Sequence, residues 1–451
     1  MTSGKTERSV AELYGDDPER AEALLFGRRG KVGRRGFLGG AGLAAMGAAV
    51  GGSIPFGANM PAGLMPAAFA QDKGAGAKPA EAAAPAKLDF PGKDPGLVVL
   101  GDKPLNAETP ATALDQEVTP VDSFFMRNHG TLPEAPSDPD KWVLSIGGEV
   151  NKPMQITLGE LKSKFPVQSA RMLLECAGNG RSSFVPPARG NQWSTGAVGC
   201  ADWKGVRLAD VLKAAEPKSS AVYTANYGTD QHLSGDTSKP TLSRGVPIAK
   251  AMDENTLLVW EMNGKPLIGA HGAPLRLVVP GWVGSCSHKW LNRIDIRDKI
   301  HDGPGMTGFS YRVPLKPIIP GSKGDEADTR ILDAMPVRSL ITSPGNGGKL
   351  AAGTREVAVR GWAWSSDKGI REVEVSRDFG VTWTKATLGT PKSKYDWVRW
   401  NVSLPVPSDG YYELWARATD GAGATQPFIA GNWNPQGYGA NAYHRIAVLI
   451  G

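Results

Sequence analysis

Cysteine is scarce in this chain of 451 residues: Cys176, Cys200 and Cys286 are the three present, with no Cys-x-x-Cys pair and no Cys/His spacing of a zinc site. A cysteine-built zinc module is thereby excluded, and the lack of Cys-x-x-Cys-His excludes covalent haem attachment. A long basic run is also missing. The 51 Lys and Arg against 45 Asp and Glu leave a formal charge of +6, of which +2 lies in residues 1–70, so nothing favours nucleic acid as a partner. The apolar stretch before Ala70 is broken by glycines and by Pro55, Pro61 and Pro66, which argues against a membrane span and against stable membrane insertion of the mature chain. With so few thiols, the setting of each one matters. Cys176 stands in Leu173-Leu174-Glu175-Cys176-Ala177-Gly178-Asn179-Gly180-Arg181, among glycines and near a cation that favours its thiolate, a soft metal ligand or a nucleophile. Cys200 and Cys286 read as inert packing residues.

The chain divides by composition. Gly33-Arg34-Arg35-Gly36-Phe37-Leu38, a Gly/Ala-rich run and Ala68-Phe69-Ala70 read as a twin-arginine export signal over 1–70, placing the mature protein in the periplasm. Residues 71–95, poor in large apolar side chains, read as a flexible leader. A first core follows over 96–330. It has strand-like runs at Trp142–Ile146, Ala221–Ala225 and Leu275–Pro280, a capping-box helix start at Thr157, and an amphipathic helix from Arg207 to Lys213. Long Gly- and Pro-rich connections favour an α+β layer over regular βαβ winding. After the polar linker from Pro320 to Glu326, residues 331–451 carry strand signals at Arg338–Thr342, Glu356–Trp364, Ile370–Ser376, Trp397–Leu404 and Gly410–Thr419, which predict an immunoglobulin-like β-sandwich. Trp362 and Trp364, alternate residues of one strand, are expected in the sheet core.

Cys-Ala-Gly-Asn-x-Arg, then Trp193-Ser194-Thr195-Gly196-Ala197, His271-Gly272-Ala273-Pro274-Leu275-Arg276, Pro280-Gly281-Trp282-Val283-Gly284, and finally Trp433-Asn434-Pro435 through Ala442-Tyr443-His444-Arg445 keep an order that resembles the sulfite oxidase family of molybdenum enzymes. The resemblance runs from about Phe124 to Ile450. It implies a molybdenum–molybdopterin cofactor with Cys176 as the protein's metal ligand. It further implies a substrate pocket for the sulfite oxyanion built from Arg127, Arg181, Trp193, Tyr311 and Gln436. Arg127, Asn128, His129, Asp230, His271, Arg276, Ser287, His288 and Lys289 would stand around the pterin and its phosphate.

At the tyrosine position Met306 is the alternative to Tyr311. Gln436 stands where vertebrate and plant members resemble Trp-Asn-Leu-Arg-Gly, so a hydrogen-bonding side chain replaces a charge. The implied reaction is two-electron oxidation of sulfite to sulfate. With no haem motif and no cytochrome b5-like module in this chain, electrons are expected to pass to a separate c-type cytochrome, and the resemblance makes the C-terminal domain a homodimer interface. Three other readings are kept: a sulfane dehydrogenase subunit acting on carrier-bound sulfur, a sulfoxide reductase, and a binding protein with a decayed site.

Overall fold

The structure, a computed structural model, describes residues 87–451; the expected export signal (1–70) and residues 71–86 lie outside the described residues. In the first domain short strands assemble into two five-stranded sheets. One sets Val167–Glu175 beside Val198–Arg207 and then Leu257–Met262, with which both Lys265–Pro266 and Arg276–Val278 pair. The other runs Met154–Thr157, Val143–Gly148, Leu291–Arg297, Tyr223–Gly228, Ser243–Arg244, antiparallel throughout except for the parallel pair of Val143–Gly148 with Leu291–Arg297.

Local chemistry starts the helices as the sequence predicts, although the second runs two residues past Lys213 to Ala215. Leu158–Lys164 begins at a reciprocal cap, in which Glu160 N–H donates to Thr157 Oγ1 at 3.2 Å and Thr157 N–H to Glu160 Oε2 at 2.9 Å. Leu208–Ala215 turns Leu208, Val211, Leu212 and Ala215 into the core. The strands Val167–Glu175, Val198–Arg207 and Leu257–Met262 carry no alternating signal, because long stretches of each are covered on both faces.

The C-terminal domain is two sheets sharing one apolar core. Arg338–Ser343, Glu356–Trp364, Val398–Pro405 and Thr387–Leu388 form one; Gly348–Leu350, His444–Ile450, Gly410–Asp420, Ile370–Ser376 and Thr384–Lys385 form the other. Val359 and Trp400 from the first pack with Val375, Leu414 and Val448 from the second. Trp362 and Trp364 are buried, but elsewhere than in this core: they join the cluster of the first domain. Trp362 stacks on Trp397 with ring centroids 4.5 Å apart and donates to the Leu114 carbonyl at 2.8 Å. Trp364 donates to Glu175 Oε2 at 2.9 Å. The face that periodicity assigned to a sheet core is the seam between the domains.

A buried ion pair completes that seam. Arg338, the cross-strand partner of Trp364, reaches Glu175 Oε1 at 2.7 Å, and the Arg338 guanidinium also donates to the Asn179 carbonyl. Near the other end of the chain Leu88 and Lys93, within the stretch expected to be a leader, are buried, and Leu88 packs with Leu97, Ala107 and Met126. Among the described residues no helix is long and apolar enough to cross a membrane.

Glu175→Gln should lower unfolding stability by about 3–5 kcal/mol, because it strands the Arg338 cation in the seam. Chemical denaturation of the variant against the parent measures this; an unchanged midpoint would show that the pair does not hold the domains together.

Candidate active site

Val167–Glu175 delivers Cys176 to the end of its sheet, where Cys176 N–H donates to the Ala197 carbonyl at 2.9 Å. The chain then turns on itself, with Asn179 N–H bonding the Cys176 carbonyl at 2.9 Å and Gly178 N–H lying 3.4 Å from Cys176 Sγ. The glycines of this motif make room for Arg181. A Cβ on Gly178 would lie 2.5 Å from Arg181 Nη2, and one on Gly437, whose φ is +63°, would lie 2.6 Å from Arg181 Cγ.

Cys176 opens onto a cavity of about 760 Å³ including its mouth. Arg127, His129, Asp230, His271, Arg276, Ser287, His288, Lys289 and Tyr311 line it too, so the fold gathers ten of the fourteen residues named from sequence. The other four stand behind or beside it. Asn128 accepts from the Lys289 ammonium and donates to the Leu105 carbonyl at 2.7 Å, which fixes Lys289. Trp193 is fully buried, packing edge-on to the cavity-lining Phe125 with centroids 6.4 Å apart. Arg181 donates from Nε to the Gln436 carbonyl at 2.9 Å and lies over the Tyr438 ring at 5.4 Å. Gln436 otherwise lines a separate pocket of about 350 Å³ with Arg312 and Asp325. Met306 is buried away from the cavity lining, where Tyr311 stands.

Several contributors carried no sequence signal. Tyr438 stacks on Tyr311 with centroids 4.8 Å apart and an interplanar angle of 14°, linking Arg181 to the cavity wall through two rings. Arg244, fully buried, lies over Tyr311 at 4.7 Å and donates to Cys286 Sγ at 3.3 Å. These contacts join residues far apart in the chain, and no spacing rule reaches them. Tyr311 and Trp290, both lining the cavity, have φ of +52° and +49°, a conformation bulky side chains avoid unless their surroundings impose it.

The electrostatics are one-sided. Arg127, Arg276 and Lys289 face the cavity, and among its described lining residues Asp230 is the sole carboxylate. Burial holds Arg276 down to about 9 and Lys289 well below the usual range of an amine, with Arg276 adding repulsion. Burial first, and the neighbouring cations second, keep His129 and His271 well below an ordinary imidazole and His288 at about 3, so all three rings are neutral at neutral pH. Burial also pushes the Tyr311 phenol up, and its oxygen lies 2.6 Å from His129 Nε2. Among the described residues, Arg276 Nε and Ser285 Oγ are buried without a hydrogen-bond partner. Buried, mutually repelling cations and orphaned donors fit a large polar anion such as a pterin phosphate.

A metal at Cys176 would need ligands from outside the protein, since among the described residues no three His, Cys, Asp or Glu side chains gather to hold one. A dithiolene-bearing group fits that requirement, because it brings its own sulfur donors.

The comparisons with known proteins follow the two domains. A model of the oxidoreductase molybdopterin binding domain matches residues 129–304, and one of the Mo-co oxidoreductase dimerisation domain matches 329–450. Mitochondrial sulfite oxidase of Macaca fascicularis is 35% identical over 381 residues, which cover 80% of this chain and 67% of that protein. Sulfite oxidase of Gallus gallus is 34% identical over 367 residues, covering 79% and 78%. The crystal structure of the sulfane dehydrogenase SoxCD from Paracoccus pantotrophus superposes with a TM-score of 0.64 at 28% identity, over 76% of this chain and 83% of that one.

Two predictions follow from the charge distribution. Inorganic pyrophosphate should raise the thermal unfolding midpoint of cofactor-free protein, and Arg276→Met should abolish most of that rise while exposed Lys213→Met leaves it unchanged; equal stabilisation of all three proteins would place the anion elsewhere. For His288 the folded state takes its proton near pH 3 and the unfolded state near 6.5, so the unfolded state binds more protons in between and stability falls as pH drops through that window. Calorimetry of His288→Asn should show a flatter pH profile there.

Proposed function

Because the chain belongs to the sulfite oxidase family of molybdopterin oxidoreductases, we propose that this molybdenum-dependent oxidoreductase converts sulfite to sulfate in the periplasm and passes the electrons to a c-type cytochrome. The observation that carries this reading is the placement of the Cys176 thiol, the Arg127 guanidinium and the Tyr311 phenol on the wall of a single cationic cavity. The molybdenum–pterin group, when bound, supplies oxygen transfer to sulfur and takes up two electrons.

The protein's part is to hold and orient. Cys176 Sγ would ligate the metal, while Arg276, Lys289 and the neutral His271 would clasp the pterin phosphate. Arg127 draws the sulfite dianion to the reacting face and fixes its oxygens by directed N–H donors. Arg181, held by the Gln436 carbonyl and backed by Tyr438, adds positive potential from behind the Tyr311 wall. The Tyr311 phenol stays protonated at neutral pH, so its single O–H can turn from His129 Nε2 to a substrate oxygen. Trp193 and the phenylalanines beside it keep bulk water from the site, which strengthens each charge–oxyanion contact. The C-terminal domain, read as an immunoglobulin-like sandwich, would pair two copies into a homodimer.

A second reading rests on the 28% identical sulfane dehydrogenase structure, which makes carrier-bound sulfur the alternative substrate. An acceptor and substrate panel on metal-loaded protein separates the two: sulfite-dependent reduction of ferricyanide or cytochrome c supports the first, and activity with carrier-bound sulfane sulfur alone selects the second.

Cys176→Ser should cut turnover by more than the roughly 10–100-fold typical of losing a metal's outer-shell partner. Arg127→Met should raise KM for sulfite far more than it lowers pterin content. Full activity in the first variant, or unchanged kinetics in the second, would overturn these assignments.

A further inference from the structure

Lys93 is 8% exposed, and its ammonium lies 2.6 Å from the Val121 carbonyl, 2.6 Å from the Phe124 carbonyl and 3.1 Å from Nε2 of His271. Three acceptors thus match the three N–H bonds of a charged lysine. His271 is neutral, so when it accepts from the ammonium its own proton must sit on Nδ1. His271 lines the cavity, and Nδ1 makes no hydrogen bond to a described residue. In this state the cavity receives a donor.

A neutral lysine changes the count. Its two N–H bonds are taken by the two close carbonyls, which can only accept, and the nitrogen turns a lone pair toward the imidazole. Nε2 must then carry the hydrogen, given to that lone pair or to the Val121 carbonyl 3.1 Å away. Nδ1 becomes a bare acceptor. We propose that Lys93 is a positioning residue whose charge state sets whether His271 Nδ1 offers a donor or an acceptor to the cofactor. This rests on the reading of the cavity as the molybdopterin site. A phosphate oxygen accepts and rarely donates, so the ammonium state is the one matched to it, and pterin should be held less firmly as Lys93 loses its proton.

Both states are within reach near neutrality. Burial pulls Lys93 down to about 7, against the favourable fields of Asp122 and Asp94. Carboxylates thus face the Lys93 side of the pair, while on the His271 side the facing groups are the cations Arg276 and Lys289. Deprotonation relieves the repulsion from those cations and gives up the attraction of the two carboxylates, and burial tips the balance.

The test is nuclear magnetic resonance of the full chain labelled with 15N-histidine, in which six histidines give few signals and His271→Asn identifies the one of interest. Well below pH 7 His271 should show a protonated, pyrrole-type Nδ1 and a pyridine-type Nε2; well above, the two types should exchange places. Lys93→Met should abolish the exchange, and Lys93→Arg, a permanent cation, should keep Nδ1 protonated throughout. One tautomer at every pH in the parent protein, or an undiminished exchange in Lys93→Met, overturns the proposal. Pterin content measured on the same samples separates the two readings. Protein that matures without pterin counts against the molybdopterin assignment, whereas pterin-loaded protein with no exchange counts against Lys93 alone.

Discussion

The buried pair of Glu175 with Arg338 is the constraint on which the rest of the site depends. Glu175 immediately precedes Cys176, and its carboxylate takes a cation from the C-terminal domain, the Trp364 indole and the Asn179 amide at 2.9 Å. Such a pair gains little net stability over an apolar contact, but removing either partner leaves a buried charge without its counter-charge. The position of the cysteine is therefore set from two domains at once. A hydrophobic seam of equal area would tolerate sliding; this one does not, because a shift leaves charges unpaired.

Charge balance in the cavity has the opposite character. Around Glu175 each buried charge is answered, whereas Arg276, Lys289 and Arg127 face each other across a space with one carboxylate. Burial of unpaired cations is unfavourable for the protein alone, and the depressed affinities of Arg276 and Lys289 for protons express that cost. An incoming polyanion recovers it. Folding and cofactor retention are thereby linked, and the three neutral histidines add donors without adding repulsion.

Two aromatic stacks show how the domains share the chemistry. Trp362 on Trp397 closes the seam, while Tyr438 on Tyr311 joins the C-terminal signature loop to the cavity wall. Arg181 reaches the site through that second stack, five residues after Cys176 in sequence and yet outside the cavity lining. A change in the loop carrying Gln436 and Tyr438 would be felt at the cavity wall through the Tyr438–Tyr311 stack.

The sequence by itself determined the division into domains, the capped helix at Thr157, most strands of the C-terminal domain and the cavity residues that sit in local motifs, because caps, turns and alternating strands are short-range physics. It did not reveal Val167–Glu175, Val198–Arg207 or Leu257–Met262, where burial on both faces along much of the strand erases alternation, nor tell that the apolar face of Trp362 and Trp364 meets another domain. Only the tertiary structure set Lys93 against His271, Tyr438 against Tyr311, Arg244 against Cys286 and Gln436 beside a different pocket. Each of those contacts joins residues dozens to hundreds of positions apart, and long-range juxtaposition is decided by how whole sheets pack, which no local pattern encodes.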